Sequence, residues 1–209
     1  MKYFFPFSVL GFAIILFLSC ANNSLKYPNE DDWFQYGEMT YKGQKYKTIK
    51  IGEQTWMAEN LNYEAEGEGK CYEDKKANCD KYGRLYDWKT AQEVCPDAWH
   101  LPSHNEWETL MATVGSPTGI RLKADSVWNE DYNNGTNTVG FAALPGGKSS
   151  HDGGFSSVGE YSGWWTSNES YTSDTKLSYI WTISFKNGDA SWGGSSKLDL
   201  FSVRCLKND

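Results

Sequence analysis

The apolar residues of this chain form one continuous run at its start and short, broken patterns thereafter. Residues 3–18 are largely apolar, whereas residues 21–40 contain few aliphatic side chains. Apolar and polar side chains then alternate from Tyr46 to residue 58, around a turn at Gly52-Glu53. This alternation on both sides of a turn predicts a β-hairpin.

Two segments between residues 87 and 115 carry helical patterns. Asp87 is a candidate N-cap for a helix over residues 88–94. Ser103 and Glu106 have the spacing of a capping box, and apolar residues then repeat at helical spacing as far as Gly115. The sequence therefore predicts a short helix followed by a longer one.

After residue 120, short apolar runs alternate with Gly, Asn and Ser without helical periodicity. Such runs predict β-strands joined by turns, and Asn187-Gly188 is the strongest hairpin turn signal among them. The predicted strands cover residues 139–144, 163–167, 179–185, 190–192 and 201–206.

The apolar run at the start has the features of an export signal. Lys2 precedes the run, Pro6 interrupts it, and the chain becomes polar immediately after Cys20. A transmembrane helix needs about 20 apolar residues, so we expect the run to be removed rather than to span a membrane. Leu18-Ser19-Cys20 is similar to a bacterial lipobox, in which the cysteine becomes lipidated. The usual lipobox has its leucine three residues before the cysteine, whereas Leu18 lies two residues before Cys20. The alternative is a plain secretory signal that contains a cysteine.

This interpretation divides the chain into three parts. Residues 1–19 form the signal peptide, residues 20–40 contain the lipidated cysteine and a flexible tether, and residues 41–209 form one domain. The length that remains after removal of the signal suits a single domain. Because several acyl chains on one residue anchor a protein stably, we expect a lipid-anchored protein of the cell envelope, at the outer membrane or the cell surface.

Charge argues against one class of partner. The chain contains 20 basic and 27 acidic residues and has a formal net charge of −7. Loss of Lys2 with the signal makes the mature chain still more acidic. Nucleic-acid binding depends on basic surfaces that neutralise phosphates, so we expect no nucleic-acid partner.

The cysteines predict a disulfide framework. With Cys20 assigned to lipid, four cysteines remain, and an even number in an exported chain favours disulfides. Of the three pairings that four cysteines allow, we favour Cys71 with Cys79 and Cys95 with Cys205. A zinc site with four thiolates is the alternative, although neither pair has the CxxC spacing.

Aromatic residues make up 16% of the chain, with ten Trp beside 20 Gly. This composition is typical of a loop-rich extracellular module, and carbohydrate-binding surfaces use the same residues. In the segment 161–194, aromatic rings are interleaved with amides and carboxylates, which suits a shallow glycan site. The candidate ligand-binding residues are Tyr161, Trp164, Trp165, Asn168, Asp189 and Trp192. For the adjacent Trp164 and Trp165, the alternative is that they point to opposite faces of a strand, away from any ligand.

The sequence contains no recognisable catalytic set. His100 and His104 are four residues apart, but Pro102 and the predicted Ser103 cap separate them, so they cannot share a helix face as zinc ligands. Neither a GxSxG motif nor a phosphate-binding loop is present. We therefore expect no enzymatic activity, although a pair of glycosidase carboxylates remains an open alternative.

Six sequence blocks follow one another in an order that resembles a known family. They are YGRLYDW at 82–88, CPDAWHLPS at 95–103, EW at 106–107, GFAALPGG at 140–147, WWTS at 164–167 and FSVRC at 201–205. Together they resemble the Fibrobacter succinogenes major paralogous domain over roughly residues 45–207. This resemblance implies an exported or surface lipoprotein domain.

The order of the blocks also looks like a C-type-lectin-like fold, which is of the α+β class. The resemblance implies two helices packed on a twisted antiparallel β-sheet with long irregular loops, and the Cys95–Cys205 pairing fits that fold. Sulfatase-activating enzymes of this fold use a reactive cysteine pair, but here only Cys205 lies in the corresponding region. No cofactor is required, and calcium is a candidate ligand because lectins of this fold bind it through loop oxygens. Residues 129–131 and 133–134 offer such oxygens, and a solvated loop is the alternative.

Three functional hypotheses follow. The first is a lipid-anchored, non-catalytic binding module for glycan or another surface ligand, to which an exposed aromatic such as Trp192 contributes. The second is a structural or protein-interaction lipoprotein of the envelope in which every Trp lies in the core. The third is an enzyme on the same fold, which needs two converging carboxylates or a free thiol.

Overall fold

A computed structural model describes residues 34–66, 68–129, 135–170 and 176–209. The predicted signal peptide, Cys20 and most of the predicted tether lie outside these residues. Strand β1 (Gly37–Tyr41) begins before residue 41, so regular structure extends into the range that was assigned to the tether. Within the described residues, no helix has both the length and the apolar character needed to cross a membrane.

Ten strands in the described part of the chain form two curled sheets of five strands each. The first sheet has the order β1-β2-β3-β10-β4 and contains β2 (Gln44–Ile51), β3 (Gln54–Met57), β4 (Trp99–His100) and β10 (Leu206–Lys207). The second sheet has the order β6-β5-β7-β8-β9 and contains β5 (Gly146–Ser149), β6 (Phe155–Val158), β7 (Tyr161–Glu169), β8 (Leu177–Ser184) and β9 (Ser191–Ser196). All neighbouring strands are antiparallel except β5 and β7.

The described helices are short. They are α1 (Lys76–Tyr82), α2 (Trp88–Ala91), α3 (His104–Val114) and α4 (Thr118–Leu122), with a single 3-10 turn at Tyr72–Asp74. The C-type-lectin-like α+β prediction is therefore wrong, because the fold is mostly β and two curled sheets replace a single sheet covered by two helices. The physical reason is that β5 and β6 lack the alternating pattern by which strands are recognised, and only the start of β9 has it, so most of this part of the second sheet was not predicted.

The predictions that rested on complete local patterns are confirmed. Strands β2 and β3 form the expected hairpin, with Ile51 paired to Gln54 across the turn. Helix α3 begins with the expected capping box, in which the Ser103 hydroxyl accepts from the Glu106 amide and the Glu106 carboxylate accepts from the Ser103 amide. Asp87 caps α2 by accepting from the Thr90 amide, although α2 ends at Ala91 rather than at residue 94.

The later strands were predicted with mixed success. Strand β7 contains the predicted range 163–167, β8 contains all of the predicted range 179–185 except Phe185, and β9 begins at Ser191 within the predicted range 190–192. The range 139–144 forms no strand, and of the range 201–206 only Leu206 lies in a strand. The turn signal at Asn187-Gly188 does lie between β8 and β9, but the connection is longer than a two-residue turn because Thr182 pairs with Ser191. Short apolar runs thus located the interior segments but not their backbone pairing.

Two hydrophobic cores lie on opposite sides of the central strands. The first core contains Trp56, Trp107, Trp164 and Trp181, and the second contains Met57, Trp165 and Ile180. Adjacent residues of β3, β7 and β8 supply different cores because successive side chains of a strand point to opposite faces. Helix α3 covers the first core through Trp107, Leu110 and Val114.

A buried arginine joins the last part of the chain to the first core. Arg204 is fully buried, its Nε donates to Asn60 Oδ1 at 2.8 Å, and its terminal nitrogens donate to the carbonyls of Phe141 and Ala142. The same Asn60 oxygen accepts from Trp164 Nε1 at 2.9 Å. Burial lowers the pKa of Arg204 to about 9, which leaves the guanidinium protonated at neutral pH. These acceptors satisfy the donors of the buried guanidinium. Because Asn60 accepts from both Trp164 and Arg204, it holds β7 against the residues that precede β10.

Both predicted disulfides are confirmed, which removes the zinc alternative. Cys71 is bonded to Cys79, and Cys95 is bonded to Cys205. The first bond ties the 3-10 turn to α1, and the second links the segment after α2 to the residue before β10. The second bond closes a loop of 110 residues and contributes about 4–5 kcal/mol if it acts by restricting the unfolded chain.

Candidate functional site

The structure disperses the residues that the sequence suggested as a glycan site. Trp164 and Trp165 are both fully buried, Trp164 in the first core and Trp165 in the second. The Trp165 indole also donates to the Tyr86 carbonyl at 2.7 Å. The alternative that these two rings point to opposite faces of a strand therefore applies, and neither is accessible to a ligand.

Three further candidates hold structural elements in place. Asn168 Oδ1 accepts from the His104 amide at 2.7 Å, and Asp189 Oδ1 accepts from the Thr118 amide at 2.8 Å, so these side chains bind the first turns of α3 and α4. The hydrogen bond from the Thr118 amide, together with one from Ser116, holds the pKa of Asp189 below its usual value. Tyr161 packs half-buried against the second core, and burial raises the pKa of its hydroxyl well above the ordinary value.

Trp192 is the one aromatic residue of the six candidates that is largely exposed. It lies on β9 with 54% of its surface accessible, and it ends a row in which Trp164, Trp181 and Trp192 are directly paired across β7, β8 and β9. Its ring meets the rings of His104 and Tyr179 edge to face, at centroid distances of 4.9 and 5.5 Å. These contacts fix the indole on the strand while leaving much of it in solvent.

The histidines lie in different elements and contact different groups. His100 belongs to β4 and its ring nitrogens lie 2.6 Å from Asn208 Oδ1 and 2.9 Å from Glu106 Oε1. His104 begins α3 and stacks on Trp181. His151 lies 3.6 Å from Asp199. In the part of the chain that the structure describes, no three His, Cys, Asp or Glu side chains converge as metal ligands. Four of the candidate calcium ligands, at residues 130–134, lie outside that part.

A second aromatic surface lies at the end of β1, where no binding site was predicted from the sequence. Two adjoining depressions of about 340 and 470 Å³ share Tyr41, Lys42 and Tyr63, and we call this surface the tyrosine groove. The rings of Tyr41 and Tyr63 meet edge to face with centroids 5.1 Å apart, and Lys42 Nζ lies 5.9 and 5.7 Å from them. The aromatic pair thus forms a ridge between two polar depressions.

The β1–β2 turn positions the first half of this ridge. Lys42 and Gly43 both have positive φ, at 48° and 82°, and Tyr41 pairs with Gln44 across them. Positive φ at both central residues is the geometry of a tight two-residue hairpin. The turn therefore presents Tyr41 and Lys42 at the rim of the first sheet. Burial, with smaller contributions from Tyr63 and Asp97, raises the pKa of Tyr41, so its hydroxyl is neutral at physiological pH.

Buried tyrosines position the second half of the ridge. The Tyr86 hydroxyl donates to the Tyr63 carbonyl at 2.6 Å, and the Asn62 amide donates to the Tyr46 hydroxyl at 3.2 Å. Burial raises the pKa of Tyr86 well above its ordinary value, so this hydroxyl keeps the proton that it donates. The backbone around Tyr63 is consequently held by two side chains that are themselves packed in the core.

The smaller depression contains an unsatisfied donor. Arg84 lines it, donating through one terminal nitrogen to Gly69 at 2.8 Å and through the other to Glu64 at 2.5 Å. Arg84 Nε is buried and has no hydrogen-bond partner. Lys76 in the same depression is paired with Asp80 at 2.6 Å. Because Nε is buried, a ligand in this depression meets the partly exposed remainder of the Arg84 side chain rather than this atom.

The larger depression is more acidic. Its charged side chains are Glu66, Glu68, Asp87 and Glu93, opposed by Lys42 and Lys89. The tyrosine groove as a whole can stack a ligand on an aromatic ridge, donate to it on one side and accept from it on the other. Its residues come from separate segments between 41 and 94, so no local pattern could have identified it. The polar loop after Asn60 and the turn at Gly43 were its only sequence signals.

Comparison with known proteins gives one further finding. Residues 49–207 match a family model described as the Fibrobacter succinogenes major domain. No curated protein and no solved structure matches the chain. The matched range includes Tyr63 and Arg84 of the tyrosine groove but begins after Tyr41 and Lys42.

Proposed function

The chain belongs to the Fibrobacter succinogenes major domain family, and from this premise we propose that it is an exported, lipid-anchored cell-envelope protein whose domain binds a neutral glycan without transforming it. The observation that carries the proposal is the tyrosine groove, with its aromatic ridge between two polar depressions. The export and anchoring part rests on the apolar run over residues 3–18 and on Cys20 directly after it. We place the protein at the outer membrane or the cell surface.

Stacking on Tyr41 and Tyr63 favours a sugar ring. Pyranose rings have apolar faces that pack on aromatic side chains, while their hydroxyl groups both donate and accept hydrogen bonds. The partly exposed Arg84 side chain and Lys42 offer donors on one side of the ridge, and the carboxylates of Glu66 and Glu68 are acceptors on the other. A chain of two or more sugars can lie across the ridge and use both sets.

The charges on either side favour a neutral chain. In the smaller depression the cations Lys42, Lys76 and Arg84 exceed the anions Glu64 and Asp80 by one. In the larger depression four carboxylates exceed two lysines. A polyanion would be repelled by the larger depression and a polycation by the smaller one, whereas hydroxyl groups suit both.

The first experiment is a binding screen with the full-length chain in detergent micelles. Neutral, acidic and basic polysaccharides are tested by calorimetry, with and without a calcium chelator. We expect saturable binding to neutral glycans only, and a Tyr41→Ala/Tyr63→Ala double variant should lose it. Binding that is present without the chelator and lost with it would show that the glycan site also requires calcium. If protein with intact disulfides binds none of the polysaccharides, the proposal of glycan binding is contradicted.

Anchoring is tested separately from ligand binding. A Cys20→Ser variant removes the only thiol available for lipidation in the predicted lipobox, so we expect it to leave the membrane fraction while the unaltered chain stays in it. A matched Ser19→Ala variant keeps the cysteine and should remain membrane-bound. Equal partition of all three proteins would contradict the anchor and leave the glycan proposal standing.

A structural or protein-interaction lipoprotein is the second candidate, and one observation favours it. Six of the described tryptophans are buried in the two cores, which is what a purely structural role for these residues requires. The exposed Trp192 and the tyrosine groove are unexplained by that role. A glycan screen without binding, together with capture of a defined protein partner by the groove, would support it.

A further inference from the structure

Strand β9 is an edge of the second sheet. Within the described residues it pairs only with β8, and the one other backbone–backbone hydrogen bond to it is the turn bond from the Asp199 amide to the Ser196 carbonyl at its end. The outward backbone groups of Trp192 and Gly194 have no backbone partner among these residues. An exposed row of backbone donors and acceptors is a template for another strand. Proteins usually block such edges with charges, prolines or irregular backbone.

The other sheet edges near it differ in this respect. Strand β1 carries Glu38, which is paired with Lys45 at 2.8 Å, and β6 contains Ser157 at a positive φ of 66°. The six residues of β9, Ser191–Ser196, include no charge and no proline. In a chain with a net charge of −7, this uncharged edge is a place where a second acidic molecule can approach without direct repulsion.

The sequence of β9 is complementary to itself. In an antiparallel pair of two β9 strands centred on Gly193, Trp192 of each copy lies opposite Gly194 of the other, on the same face of the sheet. An ideal Cβ on Gly193 meets nothing within 4 Å, so the centre of the pair is open. An aromatic ring placed across from a glycine covers backbone that the glycine leaves exposed, a recognised stabilising pair in antiparallel sheets.

The Trp192 ring is exposed and already held in one position, as such a contact requires. It is 54% exposed, yet edge-to-face contacts with His104 and Tyr179 hold its ring. Pairing would cover exposed apolar surface and order no further side chain, which lowers the entropic cost of association. No other large aromatic side chain among the described residues has a comparable exposure.

We propose that two copies of this chain associate through their β9 edges, as an antiparallel strand pair centred on Gly193, and so join their second sheets into one continuous sheet. This interface is separate from the tyrosine groove and is independent of the proposed ligand. Its occupant is a second copy because β9 is its own complement in side-chain size and none of its six residues is charged. The Asp199 carboxylate beyond the strand accepts from the Ser195 hydroxyl at 2.8 Å within its own copy.

The register provides the test. In this pair the two Gly193 Cα atoms lie about 4.5–5.5 Å apart, within the range of a disulfide. The two Ser195 Cα atoms lie about 13 Å apart, beyond that range. The full-length chain is expressed with Gly193→Cys, or with Ser195→Cys as the matched control, and whole cells are analysed on non-reducing gels. The unaltered chain is the second control.

We expect a band of twice the monomer mass for Gly193→Cys, at least fivefold stronger than for Ser195→Cys and lost on reduction. Co-expression of Ser191→Cys with Ser195→Cys copies should also crosslink, because these positions face each other in the same register, and this pair keeps the test valid if Gly193→Cys fails to fold. Absence of both crosslinks would overturn the proposal. Equal crosslinking of Gly193→Cys and Ser195→Cys, or adducts with other proteins alone, would also overturn it.

Discussion

The second sheet and the tyrosine groove gather aromatic side chains in opposite ways. Trp164 and Trp165 are neighbours in sequence, yet β7 sends them into different cores where no ligand can reach them. Tyr41 and Tyr63 are far apart in sequence, yet a turn and a loop bring their rings to 5.1 Å at the surface. Aromatic density along a strand therefore reports interior packing, whereas a binding surface is assembled by the segments that end strands.

The largest expected effect separates the buried and exposed members of one tryptophan row. Trp164→Ala removes a fully buried ring and its hydrogen bond to Asn60, so we expect a loss of about 3–5 kcal/mol in the free energy of unfolding. Trp192→Ala, at the exposed end of the row, should cost less than about 1 kcal/mol. Urea unfolding measures both. Equal losses would mean that Trp192 belongs to the core.

The next effect is on ligand binding and tests the groove side of the comparison. Tyr63→Ala removes half of the aromatic ridge, and we expect about a tenfold weaker glycan affinity, or about 1.4 kcal/mol. Trp192→Ala is the matched control, an exposed aromatic on another strand, and should leave the affinity unchanged. Calorimetry with a neutral glycan measures both variants. If Trp192→Ala weakens the affinity and Tyr63→Ala does not, the ligand binds at β9 rather than in the tyrosine groove.

A smaller effect tests whether Asn168 acts as a support or as a ligand contact. Its side-chain oxygen accepts from the first amide of α3, so Asn168→Ala should lower the free energy of unfolding by about 1 kcal/mol. Affinity for glycan should not change. Asn168→Asp keeps an acceptor at the same place and should restore stability. If Asn168→Ala keeps its stability but loses affinity for the glycan, Asn168 contacts the ligand rather than supporting α3.

The smallest effect is a pH dependence at the start of α3. Burial alone would raise the pKa of Glu106, but hydrogen bonds from Ser103 and His100 outweigh it and hold the pKa below the ordinary value. A lowered native pKa means that the unfolded chain takes up the proton first as the pH falls. The stabilisation by Glu106 is therefore complete at neutral pH and is lost in acid, from about pH 5 downward.

Glu106→Gln isolates this contribution, because glutamine can still accept from the Ser103 amide but does not titrate. Urea unfolding between about pH 3 and pH 7 should show a steeper acid loss for the unaltered protein than for the variant. Parallel pH profiles would show that the carboxylate of Glu106 contributes nothing specific.

The predictions from sequence succeeded where a local pattern contained the whole cause. The capping box of α3, the hairpin of β2 and β3 and the Asp87 cap each depend on residues within a few positions of one another. The even number of cysteines favoured disulfides, and of the three possible pairings the favoured one is present. The family match agrees with the ordered blocks that suggested it.

The sequence failed where tertiary structure supplied the cause. Strand β5 is rich in Gly and Ser and becomes a strand only because its neighbours pair with it, and of β9 only the first two residues were predicted. Asp189 and Asn168 were predicted as ligand contacts because the sequence does not distinguish a polar side chain that faces a ligand from one that accepts a hydrogen bond from the start of a helix. The tyrosine groove depends on where the β1–β2 turn meets the loop around Tyr63, which no window of sequence contains.

If the chain is exported as we propose, the position of β10 has a consequence for the order in which the fold is completed. Leu206 pairs with both Trp56 and His100, so the first sheet is incomplete until residues that follow every other strand have arrived. A chain that crosses a membrane from its N-terminus delivers Arg204, Cys205 and Leu206 last. Until then the buried bonds of Asn60 and the Cys95 linkage lack their partners. Each core therefore lacks one of its members until these last residues have arrived, because Leu206 belongs to the first core and Cys205 to the second.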